Sequence, residues 1–176
     1  MVTALQRLLS TALFACLLSL ALPLWAAEAD PLAAGQAAFN TGDYALAFAK
    51  WSELATTGHS DAQVFIGLSY ANGWGVAKSP KLARLWYQKA AANGNPSGQF
   101  LLGLYYIGSE DMAETATGLM WLRRAAANGD SSAQRFLKKA RARGWFKELT
   151  PPPLDAQPPL DPPVSDSQRM ATADSP

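Results

Sequence analysis

The chain has 176 residues, a net charge of +1 and 49% hydrophobic residues, with one histidine, His59, and one cysteine, Cys16. So small a net charge provides no global field for nucleic acid or an anionic membrane surface. A single imidazole and a single thiol exclude the usual Cys/His zinc sites and most nucleophile–base pairs.

Residues 1–29 have the layout of a secretory signal peptide. Arg7 is followed by an apolar run from Leu8 to Leu22, Pro23 breaks it, and the small residues Ala26, Ala27 and Ala29 come next. Cleavage there would leave a periplasmic or secreted chain with no cysteine and no membrane insertion. Two other readings stay open. The 18 residues from Leu8 to Trp25 are just long enough for an uncleaved anchor. Cys16 follows Leu13-Phe14-Ala15 as in a lipid-modified leader, although Phe14 is bulky there and the apolar run continues past it.

Residues 30–60 carry Gly42-Asp43-Tyr44-x-x-Ala47, Trp51, Leu54-Ala55 and Gly58, a weak copy of a unit that is then written out twice, at 61–95 and 96–130. Ile66-Gly67-x-x-Tyr70 answers Leu102-Gly103-x-x-Tyr106 at a shift of 36, and the run from Trp86 to Gly94 answers the run from Trp121 to Gly129 at a shift of 35. Each unit reads as two helices. In the first, Ala62, Phe65, Ile66 and Tyr70 fall on one helical face, and Asn72-Gly73 ends it. The second begins near Ser79-Pro80, a cap followed by proline, and closes at Asn93-Gly94. Its buried face is expected at Ala83, Trp86, Ala90 and Ala91, with Trp86 and Tyr87 filling the space between helices. Residues 131–147 read as a solitary closing helix with Lys138, Lys139, Arg141 and Arg143 in its C-terminal half, where cations suit the helix dipole.

From 148 to 176 the chain is polar and interrupted by Pro151-Pro152-Pro153, Pro158-Pro159 and Pro162-Pro163, a composition that forms neither helix nor core. A solvated, disordered tail is the first reading. Its acids Glu148, Asp155, Asp161, Asp166 and Asp174 against the single Arg169 allow a second, in which it folds back on the basic helix just upstream.

A helix–turn–helix period near 35 means a solenoid in which neighbouring pairs build one continuous core. The string Ala62-x-x-x-Ile66-Gly67-x-x-Tyr70-x-x-Gly73-x-Gly75-Val76, then Lys81-x-Ala83-x-x-Trp86-x-x-Lys89-Ala90-Ala91-x-x-Gly94, resembles the Sel-one-like repeat, a relative of the tetratricopeptide repeat. In the second unit Gly108-Ser109-Glu110-Asp111-Met112 replaces the Gly-x-Gly-Val loop and Gly118 stands for Ala83. The fold expected is all-α: a short α/α solenoid of about three helix pairs plus a C-terminal capping helix. The resemblance implies binding along the surface lined by the first helix of each pair. The positions are Leu32, Gln36 and Phe39, then Val64, Leu68 and Ala71, then Phe100, Leu104 and Ile107, ending at Arg135 and Lys139. That groove is apolar and becomes basic, which suits an extended peptide or an amphipathic helix with an acidic end. Packing between repeats is the competing role for these residues. Trp74, between two glycines in a loop, is the other candidate contact, as an interface anchor or as packing over a helix end.

Catalytic sites, cofactors and metals are not expected. His59 reads as a surface turn residue, and no G-x-S-x-G elbow or phosphate-binding loop is present. The acidic group Glu110, Asp111 and Glu114 occupies a loop and a first helical turn, where capping is favoured over catalysis. The function expected is an exported, non-catalytic interaction scaffold with a protein or peptide partner in the cell envelope. An inhibitor or immunity-type partner of an envelope enzyme is the alternative, and an envelope enzyme is a remote third. Oligomeric state is left open.

Overall fold

The structure, a computed structural model, describes residues 30–109 and 111–147; residues 1–29, expected to be a signal peptide, Glu110 and the Pro-rich segment from 148 lie outside the described residues. Seven helices follow one another there: α1 Pro31–Asn40, α2 Tyr44–Thr56, α3 Ser60–Asn72, α4 Pro80–Ala92, α5 Pro96–Ile107, α6 Met112–Ala127 and α7 Ser131–Ala142. Each begins where the sequence supplies an acceptor for an orphan amide of the first turn. Asp30, Asp43, His59, Ser79, Asn95, Asp111 and Asp130 do this in turn. Proline follows the cap in α1, α4 and α5, where its missing N–H is no loss. Gly73 closes α3 in the left-handed conformation at φ 81°, which only glycine adopts without steric cost.

The helices pair as α1–α2, α3–α4 and α5–α6, with α7 packed on α6. Consecutive helices touch along the chain, and α3 also meets α5 across a pair boundary. The described residues thus form the all-α solenoid expected, three pairs and a closing helix. Two apolar clusters make the core. Ala38, Ala47, Trp51, Ala55, Ala62 and Ile66 form one, and Ala83, Tyr87, Ala91, Leu102, Tyr106 and Trp121 the other; Tyr70 packs against both.

Within each pair a glycine on the first helix seats a large side chain from the second. Gly35 faces Trp51, Gly67 faces Tyr87 and Gly103 faces Leu122, so a methyl group added at any of the three would collide with its neighbour. The seated residues recur 36 and 35 positions apart, in step with the repeat. This corrects the expected face of α4. Tyr87, 6% exposed, is the buried aromatic. Trp86 is only half-buried and carries the Lys89 ammonium 4.1 Å above its ring.

The second unit shortens its inter-helix loop by starting its helix early. α6 begins at Met112, one turn ahead of the place matching Pro80, yet Gly108 to Gly118 spans as many residues as Gly73 to Ala83. Asp111 caps the added turn and Glu114 lies within it, on the side of the dipole that favours an acid. At Gly118 the two helices cross on backbone: a methyl there would lie 2.7 Å from the Gly103 carbonyl oxygen.

Candidate interaction surface

On α3, Val64, Leu68 and Ala71 follow an i, i+4, i+7 spacing, which places them on one face. The same spacing gives Phe100, Leu104 and Ile107 on α5, then Arg135, Lys139 and Ala142 on α7. The three sets match at shifts of 36 and 35, so one position changes from Val64 through Phe100 to Arg135 and the next from Leu68 through Leu104 to Lys139. Exposure differs along this row. Val64 is 7% exposed and presents almost no surface, because α3 is enclosed by α2, α4 and α5 and buries residues around most of its circumference. Leu68 and Ala71 are half-buried and pack on the second core cluster. Phe100, Leu104 and Ile107 are half-buried, and Ile107 also borders Gly118 of α6. Arg135 and Lys139 are exposed. The row therefore runs from apolar and partly covered to cationic and open.

The α1 positions are tied into the first pair. The Leu32 carbonyl accepts from Trp51 Nε1 at 3.4 Å, and Gln36 Nε2 donates to Asn40 Oδ1 at 3.0 Å. Phe39 is the hub of an aromatic group, with ring centroids 5.1 Å from Tyr44, 5.8 Å from Trp51 and 4.9 Å from Trp74. Trp74 thus packs over the α1–α2 turn while staying half-buried. Its neighbour Gly75, at φ 69°, lies against the backbone of Tyr44 and Ala45 so closely that a side chain there has no room.

A polar ladder that the sequence reading missed runs along the end of the stack where one pair hands over to the next. Gln63 Nε2 donates to the Ala55 carbonyl (3.2 Å), Gln99 Nε2 to Ala91 (3.4 Å) and Gln134 Nε2 to Ala126 (3.0 Å). Asn93 Nδ2 donates to Gln63 Oε1 and Asn128 Nδ2 to Gln99 Oε1, both at 2.9 Å. Asn95 Nδ2 reaches back to Asp61 Oδ1 at 2.6 Å and Ser60 Oγ at 3.2 Å. The signal was present as glutamine recurring at 63, 99 and 134, outside the apolar pattern that defines a helix face.

His59 stands at the place of Asn95 and Asp130 and does their work: its Nδ1 accepts from the Ala62 amide at 3.4 Å. Asp111 Oδ1 likewise accepts from Ala113 at 2.7 Å. Burial pushes Tyr87 up to about 12 and raises Tyr70, both by desolvation of the phenolate. Among the described residues no group of three His, Cys, Asp or Glu is placed to hold a metal, and no helix is long and apolar enough to cross a membrane.

Comparison with known proteins agrees with this architecture. The Sel1 repeat matches residues 60–95 and 96–130. A solved structure, the Sel1 repeat protein from Oxalobacter formigenes, is similar at 29% identity and a TM-score of 0.57 over 64% of this chain. The chain spans 47% of the length of that protein. No curated protein matches.

Proposed function

We propose, on the premise that this chain carries two Sel1 repeats within an all-α helical-repeat fold, that it is an exported, non-catalytic scaffold for a protein partner. The carrying observation is the row of half-buried Leu68, Phe100, Leu104 and Ile107 that gives way to exposed Arg135 and Lys139. Apolar side chains left half-covered along parallel first helices gain from burial against a ligand. Cations at one end fix its direction, because a reversed ligand would place its acidic end away from them. An extended peptide or an amphipathic helix with an acidic terminus fits this row. The leader-like layout of residues 1–29 supports an envelope location, periplasmic or secreted.

The test is capture from an envelope extract with the full chain beside Leu104→Glu and Lys139→Glu variants, each first shown to keep parental helicity by circular dichroism. A partner held by the parent, weakened at least about tenfold by Leu104→Glu and shifted in salt dependence by Lys139→Glu is the expected result. Equal capture by all three would remove the row from the function. Mass analysis of the exported chain checks the leader: cleavage near Ala26 to Ala29 is expected, and a chain retained whole in the cytoplasm would refute export.

A further inference from the structure

In the two Sel1 units the first helix receives its partner through Gly67 and Tyr70, then through Gly103 and Tyr106; the matching places on α7 are Lys138 and Arg141, both exposed. The face of α7 where another second helix would sit is therefore cationic. From Ser131 to Lys147 there are six cations and no acid, and Arg135, Lys138, Lys139, Arg141, Arg143 and Lys147 are all exposed. Beside them Trp145 is 42% exposed, with Phe136 6.3 Å from its ring and the Arg143 guanidinium 5.3 Å above it.

We infer that this face is covered by the chain's own residues 149–163, an acidic, proline-rich segment. Four features of the sequence and the structure support that occupant. The charge is complementary: Glu148, Asp155 and Asp161 occur between 148 and 163 with no cation among them. The acidic motif is duplicated. Pro152-Pro153-Leu154-Asp155 is repeated as Pro158-Pro159-Leu160-Asp161, six residues on. The surface also offers what proline-rich chains dock on, an exposed tryptophan with a neighbouring ring. Finally, the segment starts directly after Lys147, so it competes at an effective concentration on the millimolar scale that a free acidic partner rarely reaches. This self-contact does not rest on the apolar row, but it shares Lys139 with a partner's acidic end, so the two would compete there.

Zero-length carbodiimide coupling of the full chain at low concentration tests it, since the reagent joins only carboxylates and amines already in contact. The expected product is a monomer with amide links from Asp155 or Asp161 to Lys138 or Lys139, lost in about 1 M salt, where screening acts within about 3 Å, and lost in an Asp155→Asn, Asp161→Asn variant. Added glycine amide reports that both carboxylates were activated. Activation without those links would overturn the proposal. Links found only in covalent dimers would also overturn it, by making the occupant a second copy.

Discussion

Replacing Gly118 by alanine would make the second unit match the first, which has Ala83 at that place. Similarity between repeats and helix propensity both argue for a gain, about 1 kcal/mol for Gly→Ala inside a helix. Geometry argues the other way. The new methyl would lie 2.7 Å from the Gly103 carbonyl oxygen and 2.8 Å from both the Ile107 amide nitrogen and Ile107 Cγ1. Two of those three atoms are backbone, so relief requires α5 and α6 to separate rather than a side chain to rotate. Overpacking of this kind costs about 1–3 kcal/mol, and contact with backbone places it in the upper half of that range. The net expectation is a loss of about 1–2 kcal/mol, or roughly 4–8 °C in melting temperature at about 4 °C per kcal/mol for a body of this size. Urea and thermal unfolding followed by circular dichroism at 222 nm measure it, with unchanged denaturant slope confirming that the same surface unfolds. Ala83→Gly in the sister unit should also destabilise, since it loses a buried methyl and helix propensity. A Gly118→Ala protein as stable as the parent, or more so, would refute the claim that the two crossings differ.

The polar ladder predicts that Gln99→Ala, at a residue 2% exposed, costs about 1–3 kcal/mol by removing two hydrogen bonds, one to the Ala91 carbonyl, which keeps the Gly94 amide, and one from Asn128, whereas exposed Gln134→Ala costs well under about 1 kcal/mol. A Gln99→Ala, Asn128→Ala double-mutant cycle in urea should return a coupling above about 0.5 kcal/mol, and additive losses would deny the bond its role. His59→Asn should raise stability by a few tenths to about 1 kcal/mol, because asparagine is the better cap and already serves at the matching Asn95; an unchanged or lowered urea midpoint would contradict that. Alkaline stability follows from Tyr87, held near 12 by burial, against about 10 for an unfolded tyrosine. Between those values the unfolded chain has lost the proton that the folded chain keeps, so stability falls as pH rises through that window, by about 2–3 kcal/mol at its upper end. Urea midpoints at several pH values should show a shallower decline in Tyr87→Phe, and identical slopes would refute the assignment.

The helices were legible in the sequence because their ends are marked by local chemistry. Ser79-Pro80 and Asn72-Gly73 act within one turn and need no tertiary context. The choice between Trp86 and Tyr87 was not legible. Adjacent aromatics point 100° apart on a helix, and what decided the matter was Gly67 on another helix, opening a seat for one of them. Val64 shows the same limit. Its alignment with Phe100 places it on the groove face, but α3 is enclosed by α2, α4 and α5 and that position is buried. Gln63 and Gln99 were passed over because apolar periodicity treats a polar residue as solvent-facing, while their bonds run to carbonyls of a neighbouring pair. The basic end at Arg135 and Lys139 could be read directly, since exposed charge at a terminal helix requires no partner to place it.

The ladder joins successive pairs at one end of the stack only. At the other end the turns differ in length, with residues 73–79 linking α3 to α4 and 108–111 linking α5 to α6, and Trp74 makes the aromatic link back to the first pair. The array is therefore bound like a book along a spine. Splaying the pairs at the spine would break several hydrogen bonds at once, whereas away from it the joints rest on the Trp74 aromatic contacts and on the single Gln88–Tyr106 hydrogen bond. The order and spacing of the pairs are therefore set along the ladder, one repeat per rung, and the row of first helices inherits that spacing.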